Sequence, residues 1–145
     1  MGILSDLFVA DPADAIRYEK EAALAQALPS WVAGRAQLKQ LIYLQYEVLW
    51  ASLERRTWQP DSHSLEMLSM SNDGGSWLFR FPPPFVTRLA EADAGSLGVV
   101  AEQWIQSGEL HGATAEEVLP VLRELTQLAR IAQADGKGLF LWGSL

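Results

Sequence analysis

Cysteine is absent from this 145-residue chain. Its absence excludes disulfides, thiolate nucleophiles and zinc sites built on sulfur ligands. Histidine is nearly absent too, with only His63 and His111. A metal site needs three or four ligands, and no second cluster stands near either histidine. Long apolar runs are missing as well, since no segment approaches the ~20 residues that span a bilayer. The first residues, Met-Gly-Ile-Leu-Ser-Asp, lack a basic n-region, and Asp6 interrupts their apolar run. A secretory signal is therefore not expected. Asp6 also stands where a myristoylation motif needs Ser or Thr, so the expected location is cytoplasmic.

Basic residues are scarce in the middle of the chain. Residues 57–117 hold nine acids against Arg80 and Arg88, and the whole chain carries a formal charge of −7. Such a region repels phosphate backbones, which argues against nucleic-acid binding, and it attracts a basic protein partner. Catalytic motifs are also missing. Gly75-Ser76 precedes a strand pattern where an elbow would precede a helix, Gly143-Ser144 lies at the C-terminus, and neither has the Gly-x-Ser-x-Gly context of a nucleophile elbow. Gly34-Arg35, Gly74-Gly75 and Gly136-Lys137-Gly138 lack the spacing or context of a phosphate loop. No cofactor is implied.

What is present points to an α+β fold in a single domain over residues 1–145. The most informative stretch is Ser76 to Phe85, Ser-Trp-Leu-Phe-Arg-Phe-Pro-Pro-Pro-Phe. Its alternating aromatics predict a strand over 76–81, and the three prolines end it because they have no N–H to give to a ladder. Gly138 to Trp142 reads as a second strand, apolar on both faces and so central or well covered. Residues 3–9 alternate and are a weaker strand candidate.

Helices account for most of the rest. Asp11-Pro12-Ala13-Asp14 is a helix start, predicting a helix to about Ala27 before Pro29. Pro29 to Gly34 reads as a connector, and Ala36 to Arg55 as the most hydrophobic helix. Glu47 on that helix reads as part of a solvated face in preference to an acid–base residue. A helix is predicted from about Pro84 to Glu91 and another, capped by Asp93, to about Ser107 with Gly108 as its stop. Thr114-Ala115-Glu116-Glu117 fits a capping box. Pro120 predicts either a separate first turn or a kink there, and Gly136 ends that helix. About five helices thus pack on a small sheet, expected to be antiparallel.

The segment 57–75 reads as a long loop, of the kind that is functional or disordered. Within it Ser64 to Met70 is expected to form one helical turn. Asp61-x-His63 is the sole close acid–histidine pair, and in extended chain both would point to one side. Arg80 sits mid-strand between Phe79 and Phe81, where it either pairs structurally or binds an anion. Trp58, in a connector, is a candidate wall of a recognition surface.

Three functional readings follow. The first is a non-catalytic interaction protein of the accessory or immunity type, which binds a basic partner through the acidic middle. The second is a small-molecule-binding domain or enzyme with a site between the 57–75 loop and Arg80, using Trp58, Asp61 and His63. A self-associating protein joined through a strand edge is a third.

Overall fold

The computed structural model describes residues 3–23, 27–39, 41–106, 110 and 112–145. Its centre is one five-stranded antiparallel sheet in the order β2-β1-β5-β4-β3. The strands are β1 (Leu4–Ala10), β2 (Val32–Lys39), β3 (Glu66–Met70), β4 (Ser76–Arg80) and β5 (Gly138–Ser144). The helices are α1 (Tyr18–Glu21), α2 (Tyr43–Leu53), α3 (Pro83–Glu91), α4 (Ala94–Gln106) and α5 (Ala115–Asp135).

Alternation along the strands sends side chains to two different cores. Leu7, Val9, Trp77, Phe79, Leu139 and Leu141 face a layer made by α2 to α5, whose buried stripe includes Leu49, Trp104, Leu122 and Leu125. Phe8, Ala10, Leu78, Phe140 and Trp142 face the other way, under a short lid built from a 3-10 turn at Ala15–Arg17 and α1. Tyr18 of that lid stacks on Phe8 with ring centroids 3.9 Å apart, and Phe8 in turn lies 5.4 Å from Phe140. β1 and β5 are therefore covered on both faces, which explains why their sequences are apolar at successive positions.

Several expectations are corrected here. The helix expected from Asp11 to Ala27 is a 3-10 turn and a single helical turn; residues 24–26 lie outside the described residues. Its alanine-rich face buries little, and short helices are marginal without packing. The segment instead bends so that Tyr18 can cover the sheet. The second half of the expected connector at Pro29–Gly34, from Val32 on, and the first four residues of the expected helix at Ala36–Arg55 belong to β2. Ala36, Gln37 and Leu38 are good helix formers locally, but β1 offers a full edge of backbone partners from Leu4 to Ala10, and tertiary pairing overrides propensity. The helical turn expected at Ser64–Met70 is instead β3 of a hairpin with β4, bulged at Leu68.

Other readings hold. Thr114 and Glu117 form the reciprocal capping box, and Gly136 ends α5 in the left-handed conformation at φ 66°. α5 is one continuous helix through Pro120, so the first turn is not separate. Asp93 caps α4 by accepting from the Ser96 N–H at 2.7 Å. The expected stop at Gly108 lies outside the described residues. No helix among the described residues is long and apolar enough to cross a membrane.

Candidate functional site

The segment between α2 and β4 is held to α2 at two points. Glu47 is buried, and its Oε2 accepts a hydrogen bond from the Leu65 backbone N–H at 2.8 Å. Burial pushes its carboxyl above the ordinary carboxylate range, while the Leu65 bond pulls the other way. Glu47 is thus not on a solvated face as expected; it fixes where β3 begins. The second point is His63, which is fully buried. Its Nδ1 accepts from the Gln59 N–H at 3.0 Å, so the proton sits on Nε2, which donates to Glu54 Oε1 at 2.9 Å. Trp50 packs edge-on against the imidazole at 5.4 Å.

These contacts place the four residues singled out from the sequence. His63 has both ring nitrogens engaged within the protein. Asp61 is exposed in the preceding turn. Trp58 is half-buried, with an indole Nε1 that is buried and has no hydrogen-bond partner. Arg80 ends β4, opposite Glu66 of β3 in register. The hollow beside Arg80 is lined by residues of α3, of the end of α5 and of β5, and none of Trp58, Asp61 or His63 borders it. His111 lies outside the described residues. Among the described residues no group of three or more His, Asp or Glu side chains could hold a metal ion.

The feature that single-sequence reading missed is β3 itself. It is the last strand of the sheet, so its outer backbone N–H and C=O groups have no strand partner. All five of its residues are exposed. Met67 is 59% exposed and Met70 47%. Both stand opposite aromatic residues of β4, Phe79 and Trp77, and so point to the helical side of the sheet. There Tyr43, at the start of α2, stacks on Phe79 at 4.7 Å and is itself exposed. The helical layer stops at that ring and leaves the methionines uncovered.

Acidic groups surround this strip. Residues 57–79 contain Asp61, Glu66 and Asp73 and no Lys or Arg. Asp73 accepts from the Ser71 hydroxyl at 2.7 Å and the Gly75 N–H at 2.9 Å. Those bonds hold its carboxyl below the ordinary carboxylate range, so it is ionised at neutral pH. The signal that could have revealed β3 was the pair of runs Glu66–Met70 and Ser76–Arg80 around the Asn72-Asp73-Gly74-Gly75 turn. Polar and flexible residues in the first run hid it.

Comparison with family models, with curated proteins and with solved structures finds no match.

Proposed function

We propose that this chain is a non-catalytic protein-interaction domain, and that its binding surface is the open edge of β3 with its methionine strip. The observation that carries the reading is that every residue of an unpaired edge strand is exposed while three of its five side chains, Met67, Leu68 and Met70, are large and apolar. Soluble proteins usually protect such an edge. Methionine is flexible and polarisable, which suits it to surfaces that adapt to a partner.

Charge selects the occupant. A second copy of this chain would bring the carboxylates of Asp61, Glu66 and Asp73 from both copies to one interface, and like charges across an interface are costly. A basic extended segment meets those carboxylates favourably and can add its backbone to β3, with its alternate apolar side chains on the methionine strip.

The test is an NMR titration of the isotopically labelled protein with a capped peptide of alternating lysine and valine, and separately with one of alternating glutamate and valine. Expected is saturable binding of the lysine peptide alone, weakening with salt. The largest shifts and new exchange protection should fall at Glu66–Met70. Shifts centred elsewhere, or an equal response to the acidic peptide, would refute the reading.

A further inference from the structure

Arg80 has a guanidinium Nε that is buried and finds no hydrogen-bond partner among the described residues. A buried donor on a charged group is costly to leave unpaired. Glu66, directly across the β3–β4 ladder, makes no ion pair with it. The arginine instead borders a hollow of about 120 Å³ where β4 meets the start of α3 and the turn from α5 to β5.

A second cation borders the same hollow. Lys137 is positioned there because its backbone N–H closes the end of α5 on the Ala132 carbonyl at 2.8 Å. It too makes no ion pair among the described residues. Thr87 and Gln133 supply polar groups, and the Gln133 amide donates to Thr87 Oγ1 at 3.2 Å, leaving the hydroxyl proton of Thr87 free to be donated inward. Phe81 and Val86 form apolar walls, and no carboxylate of the described residues borders the space. α3 also begins here, with Pro83 at its first positions, so the positive end of its dipole adds to the field. By contrast, the hollow of about 200 Å³ beside Arg55 and Arg88 has Glu91 in its wall, and Glu54 stands 3.7 Å from Arg88. Its charges are already opposed by the protein's own carboxylates.

We infer that the hollow between β4, α3 and the α5–β5 turn binds a small phosphate monoester, with Arg80 and Lys137 facing the phosphate and the apolar walls facing its carbon skeleton. Two cations match a dianion, and arginine presents paired donors to phosphate oxygens. A hollow of about 120 Å³ has room for one phosphate headgroup, with the ester carbons reaching outward. The inference rests on Arg80 and Lys137 and not on the β3 surface, so either can fail alone.

The experiment is a titration of the intact protein with glycerol phosphate, inorganic phosphate, acetate and sodium chloride at matched ionic strength. It follows the Arg80 side-chain N–H and the Lys137 and Gly138 amides by NMR. Expected is saturable binding of glycerol phosphate, tighter than inorganic phosphate and much tighter than acetate. Both Lys137→Met and Arg80→Gln should weaken it by about tenfold or more, as losing a hydrogen bond to a charged group implies. Shifts that follow ionic strength alone overturn the inference, as does unchanged affinity in Lys137→Met, which decides the matter if Arg80→Gln does not fold. Equal affinity for inorganic phosphate and glycerol phosphate overturns the monoester.

Discussion

Asp6 is a carboxylate placed where water barely reaches. It is buried on the lid side of β1, accepts from the Tyr18 hydroxyl at 2.6 Å, and has the Gln37 amide 3.5 Å away. Burial raises its proton affinity above the ordinary value of 3.8; the Tyr18 and Gln37 bonds and the nearby Arg35 charge oppose this only in part. A raised carboxyl pKa means the folded chain binds the proton more tightly than the unfolded one. The resulting penalty is absent well below the ordinary value, grows as pH rises from there to the folded-state value, and is complete above it. Asp6→Asn keeps an acceptor for Tyr18 and removes the charge. Its urea midpoint at pH 7 should exceed that of the parent, and the gain should shrink to nothing as pH falls below 3.8. A lower midpoint at pH 7 would mean that attraction to Arg35 outweighs burial. Asp6 also shows why residue roles were hard to read. An acid inside an alternating strand looks like a solvent-facing position, and only the lid supplied by Tyr18 makes it interior. Glu47 and His63 were hidden the same way, because their partners are the Leu65 and Gln59 backbones and the Glu54 carboxylate, and the fold alone joins Leu65 to Glu47.

At the scale of elements, periodicity succeeded where one face or both faces of a segment carry large apolar groups. β4, β5, α3, α4 and α5 have such patterns, and capping chemistry at Asp93, Thr114 and Gly136 located their ends. β2 and β3 failed for a shared reason. They are the two edge strands, each paired on one side only, and their residues suit helix or loop as well as strand. What made them strands was a neighbouring strand, which local patterning does not encode. Arg80 drew notice in the sequence as a cation within a strand pattern, but the residues around it were not legible, and the 57–75 loop expected beside it does not border its hollow. Lys137 is 57 positions away in sequence and reaches the same hollow through the turn after α5. Two glycines separate close packing from backbone freedom. Gly143 lies under the Trp77 indole, which leaves no room for a methyl group, whereas Gly98 on α4 faces open space. Gly143→Ala should destabilise by about 1–3 kcal/mol, as overpacking does. Gly98→Ala should stabilise by roughly 0.5–1 kcal/mol from helix propensity. Urea unfolding of the two variants checks both signs, and equal effects would show that Trp77 moves aside.

For the whole molecule, β5 is what makes one sheet of two ribbons. It pairs with β1 along Gly138–Ser144 and with β4 along Phe140–Ser144, whereas among the described residues β1 pairs otherwise only with β2, and β4 only with β3. A chain cut after Lys137 should therefore lose its cooperative urea transition and its near-ultraviolet circular dichroism. A retained transition would show that α5 and its helical neighbours hold the ribbons without the central strand.

The position of β5 also imposes an order in time. A growing polypeptide emerges from its first residue onward, and the strand that joins the halves is made after β1 to β4 and α1 to α5. Until Gly138 and the residues beyond it are free, the apolar faces of β1 and β4 have no neighbour between them. Such distant pairings close slowly, and exposed strand flanks invite misassociation in the interval. The acidity of the middle region then acts before there is any native surface to dissolve. Like charge keeps unfinished chains apart while they wait for the strand that completes them.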